Sequence, residues 1–151
     1  MGFLRKALRK ISGGEETPPP EQSSAPSVAG LSAEELEKIG TEEDLLRDYE
    51  AAVERNFEAT EAESKGDVER AIELYERNVA GEFVEGYPYE RLASLYERRG
   101  VYGEALRVTE SFIRLAESGR MPRGAQASAD RRLPSFKDRA ERYRKLLNDT
   151  G

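Results

Sequence analysis

The chain contains no Cys, no His and no Trp. Without cysteine there is no disulfide, no thiolate metal site and no thiol nucleophile, and nothing calls for an oxidising compartment. Without histidine the usual general base near neutral pH and the commonest metal ligand are missing too. Long apolar runs are also lacking: no stretch approaches the roughly 18 residues that a membrane-crossing helix needs. Gly13-Gly14 and the isolated glycines elsewhere lack the spacing of a phosphate-cradling loop. Carboxylate pairs such as Glu42/Glu43 and Glu61/Glu63 are what helices this acidic contain by chance. The expectation is a protein with no catalytic residue, no metal and no cofactor, at work in the cytoplasm.

What the sequence does have is charge. Of 151 residues, 36% are charged and 37% hydrophobic, a balance that suits exposed helices around a thin core. The net charge of −6 is unevenly spread: residues 31–90 hold 6 Lys and Arg against 19 Asp and Glu, whereas residues 91–151 hold 14 against 8. Such a polarity can drive head-to-tail association or steer an oppositely charged partner. Solvated helix faces that happen to differ explain it equally well.

Residues 1–11, MGFLRKALRKI, place Phe3, Leu4, Ala7, Leu8 and Ile11 on one helical side and Arg5, Lys6, Arg9 and Lys10 on the other. A basic amphipathic segment of this kind can lie on an anionic membrane or dock in a partner's groove; a frayed tail is the alternative. It has no continuous apolar core of a secretory signal, and Lys6 stands where a myristoylation motif wants Ser or Thr. Residues 12–30 are rich in Pro, Ser, Gly and Glu and read as a disordered linker.

From residue 31 to 151 the pattern is helical throughout. Ser32 with Glu35 forms a capping box, Leu31 with Leu36 a hydrophobic staple, and Gly40 ends that first helix. Thr41 with Asp44 starts the next, whose stripe of Leu45, Tyr49, Ala52, Val53, Ala59 and Ala62 runs to about Lys65. Further helices are predicted over Val68–Val79, Tyr89–Arg99 and Val101–Glu117, with GEFVEGYP as a turn between the first two. Ser118–Arg132 reads as a loose connection because of Gly119, Pro122 and Gly124. A last helix is predicted over about 135–148, capped by Ser135 with Asp138. No alternating strand pattern appears, so the fold class is all-α.

Sliding the chain on itself by 34 residues aligns Ala59 with Ala93, Gly66 with Gly100, Val68 with Tyr102, Ala71 with Ala105 and Ile72 with Leu106, without a gap. Tyr89-x2-Leu92-Ala93-x2-Tyr96 gives a large-x2-Leu-small-x2-Tyr helix, followed by a Gly turn and a second helix with a small residue. This period and pattern resemble the tetratricopeptide repeat. The resemblance covers two units, about 52–85 and 86–118, and departs from the family at Arg55, Glu58 and Ala62, and at Phe83 where a Pro usually closes a unit. It implies antiparallel helical hairpins stacked as a short right-handed solenoid between flanking capping helices. Two units fall short of the three or so that such arrays need, so capping helices or homo-oligomerisation would cover the ends.

In that family the first helix of each pair lines a concave groove. Carried over by register, the groove is expected to include Val53, Asn56, Phe57, Thr60, Tyr87, Glu90, Arg91, Ser94 and Arg98. The family's best-known ligand mode clamps a C-terminal carboxylate with paired Lys and Asn; Asn56 stands in place, but Thr60, Glu90 and Ser94 depart from that set. The expectation is therefore a non-catalytic adaptor that binds another protein through an internal peptide or a lodged helix, the chain's own residues 1–11 among the candidates. The alternative is a membrane-surface or nucleic-acid-associated accessory factor recruited through residues 1–11 and 120–145. Sparse aromatics in that second segment, Phe136 and Tyr143, speak against nucleic acid.

Overall fold

The computed structural model describes residues 45–150, preceded by the helical positions Ala33 and Glu37. The expectations for residues 1–11, for the 12–30 linker and for the start signals at Ser32 and Thr41 lie outside the described residues. Those described form an all-α fold: α1 (Tyr49–Ser64), α2 (Val68–Ala80), α3 (Tyr87–Arg98), α4 (Tyr102–Ala116) and α5 (Arg123–Thr150). Each helix packs on the next, α1 on α2, α2 on α3, α3 on α4 and α4 on α5. No helix among the described residues is long and apolar enough to cross a membrane.

The two hairpins α1/α2 and α3/α4 close through the same turn. Lys65 and Arg99 sit at φ −91° and −90°. Gly66 and Gly100 follow in the left-handed region at φ 82° and 74°, and Asp67 and Val101 at φ −88° and −96°. Their hydrogen bonds repeat at the same offset: Asp67 N donates to Ala62 O at 2.8 Å and Val101 N to Tyr96 O at 3.0 Å. A Cβ strains the left-handed region, which is why glycine stands at both positions. Asp67 adds a cap that Val101 does not, its carboxylate accepting from Arg70 N at 3.2 Å.

Turns this short leave paired helices antiparallel and close, and small side chains permit the approach. Ala59, Ala71, Ala93 and Ala105 are all fully buried. Around them the two hairpins fill their interiors differently. In α3/α4, Phe112 lies between Tyr89 and Phe136, with ring centroids 5.0 and 4.5 Å away. In α1/α2, Asn78 occupies the middle at 1% exposure. Its amide donates to Ala52 O at 2.9 Å and to Asn56 Oδ1 at 2.7 Å, and its oxygen accepts from Arg55. Every polar atom of that side chain is thus engaged, as burial demands.

Phe83, the departure from a closing proline, is a core residue: its ring stacks on Tyr49 with centroids 5.4 Å apart, and its carbonyl accepts from Tyr89 Oη at 2.7 Å. Pro88 instead enters the first turn of α3, where a missing N–H costs nothing.

Two helix boundaries differ from the sequence reading. The helix expected from Thr41 is broken at its described start: residues 45–48 form a turn and Asp48 is left-handed at φ 63°. Asp tolerates that conformation, and apolar periodicity passes across such a break unmarked.

The larger correction concerns the C-terminus. The Ser118–Arg132 connection is short, and the last helix begins at Arg123 rather than Ser135. Ser135 is not a cap: its hydroxyl donates back to Arg132 O at 3.2 Å within the helix. Pro122 leads into α5, its carbonyl accepting from Gln126 N at 2.8 Å, while the Gln126 side chain donates to Ala116 O at 2.8 Å. Pro134 lies inside the helix, an arrangement that costs about 3 kcal/mol in an ordinary helix interior. Here Pro134 and Asp130, whose carbonyl loses its partner, both face solvent, so water can satisfy that oxygen. The buried stripe Ala129, Phe136, Ala140 and Tyr143, with Leu133 half-buried, continues through the proline. That packing outweighs the local penalty.

Candidate functional site

The groove expected across the first helices of the two hairpins falls along one stripe of α3. Tyr87, Glu90, Arg91, Ser94, Glu97 and Arg98 recur at three- and four-residue spacing, so they share a face. Two neighbours divide that face between them. α1 abuts its Tyr87, Arg91 and Arg98 side, and α5 abuts its Glu90, Ser94 and Glu97 side.

On the α5 side the surface is already occupied. Arg139 donates to Glu90 O at 3.3 Å and to Ser94 Oγ at 2.9 Å, and Arg132 pairs with Glu90 at 3.3 Å. Arg142 pairs with Glu97 at 3.1 Å, and Tyr143 Oη donates to the same carboxylate at 2.7 Å. α5 also approaches closely where α3 begins: a Cβ at Gly86 would stand 3.1 Å from Arg132 Cδ. Glu90 and Ser94, expected to face a ligand, instead hold the chain's own last helix.

On the α1 side a cavity of about 540 Å³ stays open, with Thr60, Tyr87, Arg91 and Arg98 at its rim and Val68 and Leu95 among its apolar lining. Four of the nine expected residues meet there. Its polar lining belongs to a hydrogen-bonded chain that runs back to the buried Tyr75. Thr60 Oγ1 lies 3.0 Å from Tyr87 Oη and 3.3 Å from Tyr75 Oη, and Tyr75 Oη donates to Glu63 at 2.7 Å. Arg91 grips Glu63 with two nitrogens, Nε at 3.1 Å and Nη2 at 2.5 Å. Phe57 stands one turn before Thr60 on the same face of α1, 68% exposed. Phe57 does not line the cavity, whereas Tyr87, also exposed, does.

Val53 and Asn56 serve the hairpin rather than the cavity. Val53 packs against the core, and Asn56 accepts from Asn78. The repeat register missed four lining residues, Ser64, Val68, Leu95 and, with them, Glu63. For Glu63 the available signal was its offset of 34 from Glu97, since both carry a tyrosine and an arginine partner.

The electrostatics follow from these pairs. Burial pushes Glu63 up, but hydrogen bonds from Arg91 and Tyr75, with the Arg91 and Arg98 charges, together outweigh it and hold the carboxyl below its usual range. The hydrogen bond to Glu63 raises Arg91 despite burial, and burial raises Tyr75. At the α5 side, the Tyr143 hydroxyl and then Arg142 lower Glu97 against its burial. Tyr143 itself is pushed up to about 12, by burial first and by Glu97 second.

The basic segment 120–145 is also largely engaged. Arg120 pairs with Glu82 at 2.7 Å, Lys137 with Glu117 at 2.7 Å and Arg144 with Glu110 at 3.0 Å. Among the described residues, no group of three or more His, Cys, Asp and Glu side chains is arranged to hold a metal ion. Comparison with protein-family models, with curated proteins and with solved structures finds no match to the chain.

Proposed function

We propose that the protein is a non-catalytic interaction module of the tetratricopeptide type, a cytoplasmic adaptor that holds a peptide or helix of another protein in the cavity between α1 and α3. The observation that carries this reading is the open cavity at the α1–α3 junction, set between two hairpins whose turns repeat at an offset of 34. Most interaction surfaces are anchored by rigid aromatic side chains and arginines. Here Tyr87, Thr60, Tyr75, Glu63 and Arg91 lock one another in place, so a ligand meets a surface that does not have to order itself.

The ionisation pattern favours binding over acid–base chemistry. A catalytic acid or base is tuned toward the working pH, whereas Glu63 is pushed down and Tyr75 up, both away from neutrality. The alternative of recruitment by residues 120–145 loses support because so many cations there are already paired with glutamates.

The test is a photo-cross-linking residue placed at Phe57, compared with one at the outward position Asp130, in cells expressing the full chain. Discrete adducts with a defined partner are expected from position 57 and not from 130. Identical adduct patterns from both positions would sink the groove assignment.

A further inference from the structure

The cavity carries more information than its openness, because its polar groups are unequally satisfied. Glu63 is saturated: its two oxygens accept from Arg91 twice and from Tyr75. Arg91 is spent on that carboxylate, and Thr60 and Tyr87 are hydrogen-bonded to one another. Arg98 is different. Its side chain is 66% exposed, and the carboxylate it faces is Glu63 at 4.0 Å, beyond hydrogen-bond reach and already held by others. Glu63 and Arg91 pair with each other, so the charged groups that line the cavity sum to one positive charge, carried by the exposed Arg98. In the same lining Leu95 and Val68 are apolar, and Tyr87 offers an aromatic face.

On the reading that this cavity is the ligand groove, we propose that it takes an internal acidic peptide segment of a partner protein. An Asp or Glu of that segment pairs with the Arg98 guanidinium, and an adjacent aromatic or branched aliphatic residue lies against Leu95, Val68 and Tyr87. A guanidinium offers a planar fork to a carboxylate, which makes such pairs both directional and stronger than neutral hydrogen bonds. The neighbouring Tyr87 ring accepts a flat or branched apolar group.

The experiment pans a phage-displayed library of random dodecapeptides against the full-length chain and against Arg98→Glu, an exposed position whose reversal leaves the core untouched. Peptides enriched on the wild type are expected to share an Asp or Glu next to an aromatic or branched residue, and those enriched on Arg98→Glu to carry Lys or Arg in its place. Arg98→Ala should weaken the best synthetic peptide on the order of tenfold. Changing that peptide's acid to the amide should weaken it equally, with no further loss on Arg98→Ala. Peptides that bind without an acidic residue, or that ignore Arg98, overturn the acidic-segment proposal and leave the groove standing. Enrichment of nothing over an unrelated helical control overturns the groove itself.

Discussion

The two hairpins share a turn but not an interior, and the contrast shows how one backbone plan accepts different chemistry. Asn78 and Phe112 occupy equivalent places, 34 residues apart, and both are almost wholly buried. Phe112 sits in the hairpin that is covered on both sides, by α2 and by α5, where an aromatic ring finds Tyr89 and Phe136 to pack against. Asn78 sits in the first hairpin, where Arg55 and Asn56 reach in from α1 to satisfy it. A polar group in a thin interior specifies pairing through direction, whereas a ring in a thick one stabilises through area.

The largest expected effect tests that division. Phe112→Ala should lower the unfolding free energy by about 3–5 kcal/mol, the usual cost of emptying an aromatic site in a packed core, read from urea melts by circular dichroism. Asn78→Ala should cost less, about 1–3 kcal/mol, from leaving Ala52 O and the Arg55 and Asn56 groups without their partner. If the two costs come out in the reverse order, the contrast between a packed and a hydrogen-bonded interior is wrong.

The turns should behave alike. Gly66→Ala and Gly100→Ala each place a Cβ in open space, with no atom within 4 Å. Only backbone strain remains, about 1–2 kcal/mol in each case. Equal shifts in the thermal midpoint are the expected result, and a loss confined to one hairpin would mean that the matched dihedrals do not reflect matched roles.

The smallest effect concerns acid. Glu63 and Glu97 both have folded pKa values below the ordinary carboxylate value. Their contribution is therefore present above the unfolded value of about 4.5 and is lost as pH falls through the lower folded value. Glu63→Gln and Glu97→Gln should each lower the melting temperature at pH 7 and approach the wild type below pH ~4. Glu63, the less exposed carboxylate at 14% against 34%, should show the larger difference. A gap that persists undiminished at pH ~3 would show that the side chains matter for shape rather than charge.

Much of this architecture was legible because it rests on small residues and turns, which local rules describe well. The offset of 34 matched Ala59 to Ala93 and Gly66 to Gly100, and the helices around them, the start of α1 apart, fall within about two residues of where periodicity puts them. The C-terminus was not legible for a physical reason. Pro122, Gly124 and Pro134 are breakers by local preference, and only the contacts of Ala129, Phe136 and Tyr143 with the preceding helices override them. The groove was readable to a similar degree. Register brought Thr60, Tyr87, Arg91 and Arg98 together around the cavity. It said nothing of Glu90 and Ser94 being claimed by α5, because an ion pair between distant segments leaves no trace in the spacing of either. Asn78 is a comparable case: an isolated Asn among Tyr75, Val79 and Leu74 gives no hint that Arg55 and Asn56 complete it.

The lysine and arginine ladder on α5 also decides something that apolar packing leaves open. A greasy stripe alone would let a helix seat itself in either direction or one turn out of step. Arg132, Lys137, Arg142 and Arg144 meet Glu90, Glu117, Glu97 and Glu110 in one alignment, and a reversed or slipped seating would separate those partners. Each bridge is partly exposed and individually weak. Acting in concert they work as a key cut for one lock, so the basic charge of this last helix is addressed first to the molecule itself.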